Sequence, residues 1–263
     1  MNFQLLFGFT FTQILIGFAR TAGLVVSAPI FQGRFIPAPL KMIFSFGFAL
    51  VVAPFIKSDL DLTAFNFWMA VFTLIQEVLI GLLIGFMVNI TFYALQIAGH
   101  FFDNSMGFGI VNVIDPNTGT EMPVMGQFNY MVAILIFLAI NGHHTMINSL
   151  IQSFEIIKPG MFFLKKEAVG IFVKAFADMF FLGFKIGLPI FGTIILVDVA
   201  LGVIAKLIPQ INVFMIGFPV KILLGLLLVV LYIPIYVFLV EVVFTKSSET
   251  FSVLRALLQQ LHM

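Results

Sequence analysis

Few residues in this chain have side chains that could do chemistry, and their spacing narrows what that chemistry is. His143 and His144 adjoin in the run Asn141-Gly142-His143-His144. Neighbouring side chains on a helix point about 100° apart, so the two rings are badly set to share a metal ion. No HExxH pattern accompanies them. They suit hydrogen bonding at a helix end or between helices. Asp178, Lys185, Asp198, Lys206, Lys221 and Glu241 are scattered through apolar sequence. Charges inside a membrane are costly and are functional candidates by default. A proton or ion path through Asp198 or Glu241 is one reading; pairing between helices or subunits is the other. The chain has no cysteine, which removes thiol nucleophiles, disulfides and thiolate metal sites. It also has no nucleophile elbow, phosphate loop or dinucleotide fingerprint. The expectation is a protein that is not an enzyme and uses neither cofactor nor metal.

The elements that position these residues are apolar helices. Of 263 residues, 61% are hydrophobic and 10% charged, against about 25% charged in a soluble domain. That is too little charge to cover a globular surface, so a polytopic membrane protein is expected. The 35 phenylalanines supply stiff apolar area for packing helices in or near lipid. A net charge of +1 gives no basic field for nucleic acid. The first residues lack a basic segment ahead of their apolar run and are read as a retained helix. Apolar runs place helices at roughly 3–19, 40–56, 66–100, 124–154, 168–204 and 211–244, each near or beyond the ~20 residues a span needs. Pro189, Pro219 and Pro234 are expected to kink or break the last two. The tail from Lys246 is at most a short amphipathic helix. Arg20, Arg34 and Lys41 make one connection basic, and Lys158, Lys165 and Lys166 another. With six spans these fall on opposite sides, so the positive-inside rule gives no orientation.

The third helix has the clearest pattern. At about 100° per residue, Glu77, Gly81, Gly85, Asn89, Gln96, His100 and Asp103 fall within an arc of roughly 140°. Lipid is excluded from such a stripe by the cost of a carboxylate in hydrocarbon. Gly81 and Gly85 form a GxxxG spacing, and Gly183 and Gly187 a second, which lets backbones approach closely. The stripe is a packing seam between helices, a seam against another subunit, or the wall of an aqueous passage.

Residues 206–221 read KLIPQINVFMIGFPVK, with the pattern P-Q-x-N-x-F-x-x-G-x-P-x-K carried by Pro209, Gln210, Asn212, Phe214, Gly217, Pro219 and Lys221. In order before it stand Arg20 and Gly23 ahead of Ala28-Pro29, Pro37, Glu77 and Gly81, Gly107 in Met-Gly-Phe-Gly, Asp115-Pro116, and Asn141-Gly142-His143. Across nearly the whole chain this resembles the FliR family of flagellar type III export-gate subunits, related to the T-type subunit of virulence systems. The resemblance implies an all-α, membrane-associated fold of about six long, proline-kinked helices. These would form helical hairpins packed in a multi-subunit export-gate cone, with residues 1–263 as one domain. It implies FliP-like and FliQ-like partner subunits, FlhB-like and FlhA-like export proteins nearby, unfolded flagellar substrates, and a place in the bacterial inner membrane at the centre of the flagellar basal body. It also implies that the 101–123 loop plugs the channel. The residues there suit a plug. Met106, Gly107, Phe108, Gly109, Ile110 and Val111 combine apolar bulk with glycine hinges, and Asp115-Pro116 begins turn chemistry. Glu77, Gly81, Gly85, Asn141, Gly142, His143, Pro209, Gln210, Asn212, Gly217, Pro219 and Lys221 are then expected at subunit interfaces or in structural roles. The rival readings are a self-contained ion or small-solute transporter, with the Glu77–Asp103 face lining its path, and a purely structural scaffold in the same assembly.

Overall fold

The computed structural model of the protein describes residues 11–32, 36–56, 66–108, 123–163, 166–210 and 212–245. Among these it is all-α. The helices are α1 (Phe11–Ser27), α2 (Ala38–Val52), α3 (Phe67–Met106), α4 (Val124–Ala139), α5 (Gly142–Ile156), α6 (Lys166–Leu207) and α7 (Val213–Thr245), with short 3-10 turns at Pro29–Phe31 and Ala53–Phe55. Among the described residues, four helical stretches are long and apolar enough to cross a membrane, or five if α4 and α5 count as one broken span. This is a membrane-embedded helical protein.

Local chemistry explains the boundaries. Pro37 and Pro39 start α2, where the missing N–H groups belong to the unpaired first turn. Asn212 caps α7, its Oδ1 accepting the Met215 N–H at 3.3 Å. The single helix expected over 124–154 is broken at Asn141, which adopts φ 58 in the left-handed region that asparagine tolerates. None of the three prolines ends its helix: Pro189 lies inside α6, and Pro219 and Pro234 inside α7. Each removes one donor, a loss that neighbouring helices compensate in apolar surroundings. The first helix also extends past the expected position 19, to Ser27. Arg20 is therefore a helical residue and not one of the loop charges.

The described residues divide into two compact units. The first holds those up to Ile90 together with Leu138–Ala175; the second holds Thr91–Phe137 and Phe176–Val243. In the first, α1 lies against α2 and α3. Thr21 Oγ1 donates to the Ser45 carbonyl at 2.9 Å, and Gln13 Nε2 to that of Ile56 at 2.8 Å. The face of α3 bearing Gly81 meets α1 backbone to backbone. A methyl group at Gly81 would overlap the Arg20 carbonyl oxygen, which is backbone and cannot turn aside. Gly81→Ala is therefore expected to push α1 off α3 and to cut the amount of full-length chain retained in membranes severalfold, read by quantitative immunoblot. Gly47→Ala, whose added methyl would meet nothing within 4 Å, is expected to leave that amount unchanged.

In the second unit, the C-terminal part of α3 packs against α4, α6 and α7. Phe92 is buried edge-on between Tyr130 and Phe137, with ring centroids 5.8 and 5.5 Å away. Phe101 meets Phe184 and Phe191. The Tyr232 hydroxyl donates to the Ile186 carbonyl at 3.1 Å and the Tyr236 hydroxyl to that of Asn129 at 3.0 Å. These bonds give two buried polar tips a partner in an otherwise apolar core.

Candidate functional site

The most polar point of the first unit is Arg20, fully buried in α1. Its Nε donates to Glu77 Oε2 at 2.7 Å, and its Nη2 lies at the same distance from that oxygen. Nη1 donates to Ser153 Oγ at 2.9 Å and Nη2 to the Ile157 carbonyl at 3.2 Å. The Phe154 ring centroid lies 3.8 Å from the guanidinium carbon, a cation–π distance. Glu77, equally buried in α3, accepts the Gly160 N–H on Oε1 at 3.2 Å. One turn-forming segment after α5 is thus tied to both charges. Gly160 there has φ 76, which glycine adopts without strain. A buried ion pair of this kind is held by geometry: all three guanidinium nitrogens meet acceptors, on Glu77, Ser153 and the Ile157 carbonyl.

In the second unit, Asp103 holds both roots of the connection between α3 and α4. Its main-chain carbonyl accepts the Phe108 N–H at 3.0 Å. Gly107 stands between them at φ 87, the six-to-one closure of a Schellman helix end. Its carboxylate accepts the Met125 N–H at 3.0 and 3.1 Å on its two oxygens and the Gly126 N–H at 3.2 Å. These amides belong to the first turn of α4, whose donors have no helical partner. Phe218 of α7 backs the turn: a Cβ on Gly107 would come within 2.9 Å of its ring. Met106 is fully buried and packs on Gly225 of α7.

In the same N-terminal part of α7, Lys221 pairs through Nζ with Asp198 of α6. The pair closes one side of an apolar cleft of about 310 Å³ lined by Leu201, Val213, Phe214 and Phe218. Gly217 faces α6, where an added Cβ would lie 3.2 Å from Leu201 Cδ1. Pro209 and Gln210 are exposed in the turn, and Pro219 is exposed on α7.

Residues 11–247 match the family described as bacterial export proteins, family 1. A protein named flagellar biosynthetic protein FliR from Bacillus subtilis (strain 168) is 34% identical over 250 residues, covering 94% of this chain and 96% of that one. The chain belongs to the FliR family. Its similarity extends to proteins of the same name from Escherichia coli (strain K12), 29% identical over 92% of this chain and 91% of that one, and Aquifex aeolicus (strain VF5), 29% over 84% and 85%.

The residues singled out in this FliR-family chain fall in different surroundings. Glu77, Gly81 and Gly85 face α1 of their own chain and are buried, the packing seam between helices that is one reading of the stripe. The stripe that continues them is mixed: Asn89 and Asp103 are buried but His100 is exposed. Met106, expected in an apolar constriction, is fully buried at the end of α3, which runs on past 101. Gly107 and Phe108 follow it, half-buried. Gly109, Ile110, Val111, Asp115 and Pro116 lie outside the described residues. Asn141 and Gly142 make the α4–α5 break. His143 is half-buried with its Nδ1 unpartnered, and its ring lies tilted beside that of His144, centroids 4.2 Å apart. Sequence reasoning missed Arg20–Glu77 as a pair and Asp103 as a clasp. Opposite charges deep in two apolar helices were the available signal for the first; an aspartate one turn before a glycine stop was the signal for the second.

Proposed function

We propose that this protein is a core subunit of the flagellar type III protein export gate. Together with FliP-like and FliQ-like subunits it builds the channel for unfolded flagellar proteins, in the bacterial inner membrane at the centre of the flagellar basal body. FlhB-like and FlhA-like proteins are its neighbours there. The observation that carries this reading is family membership over residues 11–247. Helix length supports it. With 42 residues, α6 is about 63 Å long, twice the ~30 Å of a hydrocarbon core. Only 11% of its apolar window is buried within the chain, and 17% of that of α7. Apolar surface that overruns the bilayer needs other protein to cover it.

On this reading the whole chain works as one export-gate element, and the connection after α3 is its plug. Met106, Gly107, Phe108, Gly109, Ile110 and Val111 supply the yielding apolar seal, and Asp115-Pro116 turns the chain. Asn141, Gly142 and His143, with Pro209, Gln210, Asn212, Gly217, Pro219 and Lys221, shape the faces that sister subunits meet. The protein catalyses nothing; the energy for export comes from other chains. A tagged pull-down from native membranes in mild detergent tests this. FliP-like and FliQ-like chains are expected in a fixed ratio. Recovery of this chain alone, with substrate-dependent flux when it is placed by itself in liposomes, would establish a transporter instead.

A further inference from the structure

One face of α6 carries charge that nothing among the described residues pairs with. Met179, Gly183, Ile186, Ile190 and Ile194 form its buried stripe, facing the core of the second unit. On the opposite side, at helical spacing, stand Asp178, Phe181, Lys185, Leu188, Gly192 and Leu196. Phe181, Leu188 and Leu196 are 69, 48 and 69% exposed, and Asp178 and Lys185 are exposed as well. Neither charge has an ion-pair partner among the described residues. They are seven residues apart, about 10 Å along one line of the helix, too far to pair with each other. A Cβ on Gly192 would meet nothing within 4 Å, so the face also has a recess.

No single solvent suits this face. Hydrocarbon disfavours Asp178, whose short side chain has no stem to carry its charge away from the helix. Water disfavours the phenylalanine and leucines between the charges. Protein that is apolar between two charges satisfies both. We propose that this face of α6 docks an apolar helix of a different chain, presenting a cation opposite Asp178 and a carboxylate two turns away opposite Lys185. A second copy of this chain does not fit. Copies inserted in the same orientation run parallel, and a two-fold axis between them would set Asp178 against Asp178 and Lys185 against Lys185. The inference rests on the multi-subunit assembly proposed above and adds the chemistry of one contact.

The test is a photo-crosslinking amino acid placed at Phe181 and, separately, at Leu188 of the full-length chain in native membranes, with Ile190 on the buried stripe as control. Both exposed positions are expected to capture one and the same foreign chain, and Ile190 only its own. Asp178→Lys and Lys185→Glu are each expected to lower that capture about tenfold, normalised to the chain present. Reversing the opposing charge on the captured chain should restore it. Capture of lipid alone or of a second copy, or capture unchanged by both reversals, overturns the proposal. If sister subunits still co-purify in that case, the export-gate reading stands and only this contact is lost. If they do not, both fall together.

Discussion

Alanine in place of Arg20 is expected to destabilise the first unit by about 3–5 kcal/mol, because Glu77 would remain buried without its counter-charge. That is a large share of the roughly 5–15 kcal/mol that holds a typical domain together. Glu77→Ala is expected to cost a similar amount by stranding the guanidinium, which cannot shed its proton. Arg20→Lys should lie between, since one ammonium cannot serve Glu77, Ser153 and the Ile157 carbonyl as the fork does. The double variant Arg20→Leu/Glu77→Leu should recover part of the loss, as apolar replacements of buried pairs commonly do. Recovery should be incomplete, because Ser153, the Ile157 carbonyl and the Gly160 amide lose partners. The readouts are the lifetime of full-length chain in membranes after synthesis is stopped, and its thermal aggregation midpoint in detergent. If the single variants behave as wild type, the pair holds nothing together. A double variant no better than Arg20→Ala would assign the loss to packing rather than to charge.

The parts of this fold that sequence reveals are those set by local rules. Glu77, Gly81, Gly85 and Asn89 share a face of α3 because four-residue steps stay on one side of a helix, and that face is buried. The break at Asn141 is not legible in the same way: the apolar run continues through it, and asparagine tolerates a left-handed turn without requiring one. What covers each face is not local. Arg20 finds its acid 57 residues away, and the apolar run around it ends too softly to show that the helix continues to Ser27. The same hydropathy describes a helix in lipid, in a core or against another subunit. So α6 and α7 are legible as helices, while their surroundings are not. His100 shows the limit on the polar side. It shares the arc of the α3 stripe yet is exposed, because along 40 residues one helix meets different neighbours.

Asp103→Ala separates the two roots of the α3–α4 connection in a way that hydrogen exchange can read amide by amide. The side chain holds Met125 and Gly126; the main-chain carbonyl holds Phe108. Alanine removes the first pair of anchors and keeps the last. Bonds from amides to a carboxylate contribute about 1.5–3 kcal/mol, and tenfold in an equilibrium corresponds to about 1.4 kcal/mol. Protection at Met125 and Gly126 is therefore expected to fall on the order of 100-fold, with Phe108 nearly unchanged. Asp103→Asn should lie between, because one of its two terminal atoms becomes a donor and repels an amide. Gly107→Ala should do the converse. It forces a side chain into a left-handed φ at roughly 1–2 kcal/mol and crowds Phe218, so Phe108 loses protection while Met125 and Gly126 keep theirs. If Asp103→Ala releases all three amides equally, the residue supports the helix end as a whole and is not a clasp between two roots. If the two variants separate the roots as described, the carboxylate of Asp103 ties the start of α4 to the end of α3. The segment between them then leaves and re-enters the fold at fixed points, as the proposed plug requires.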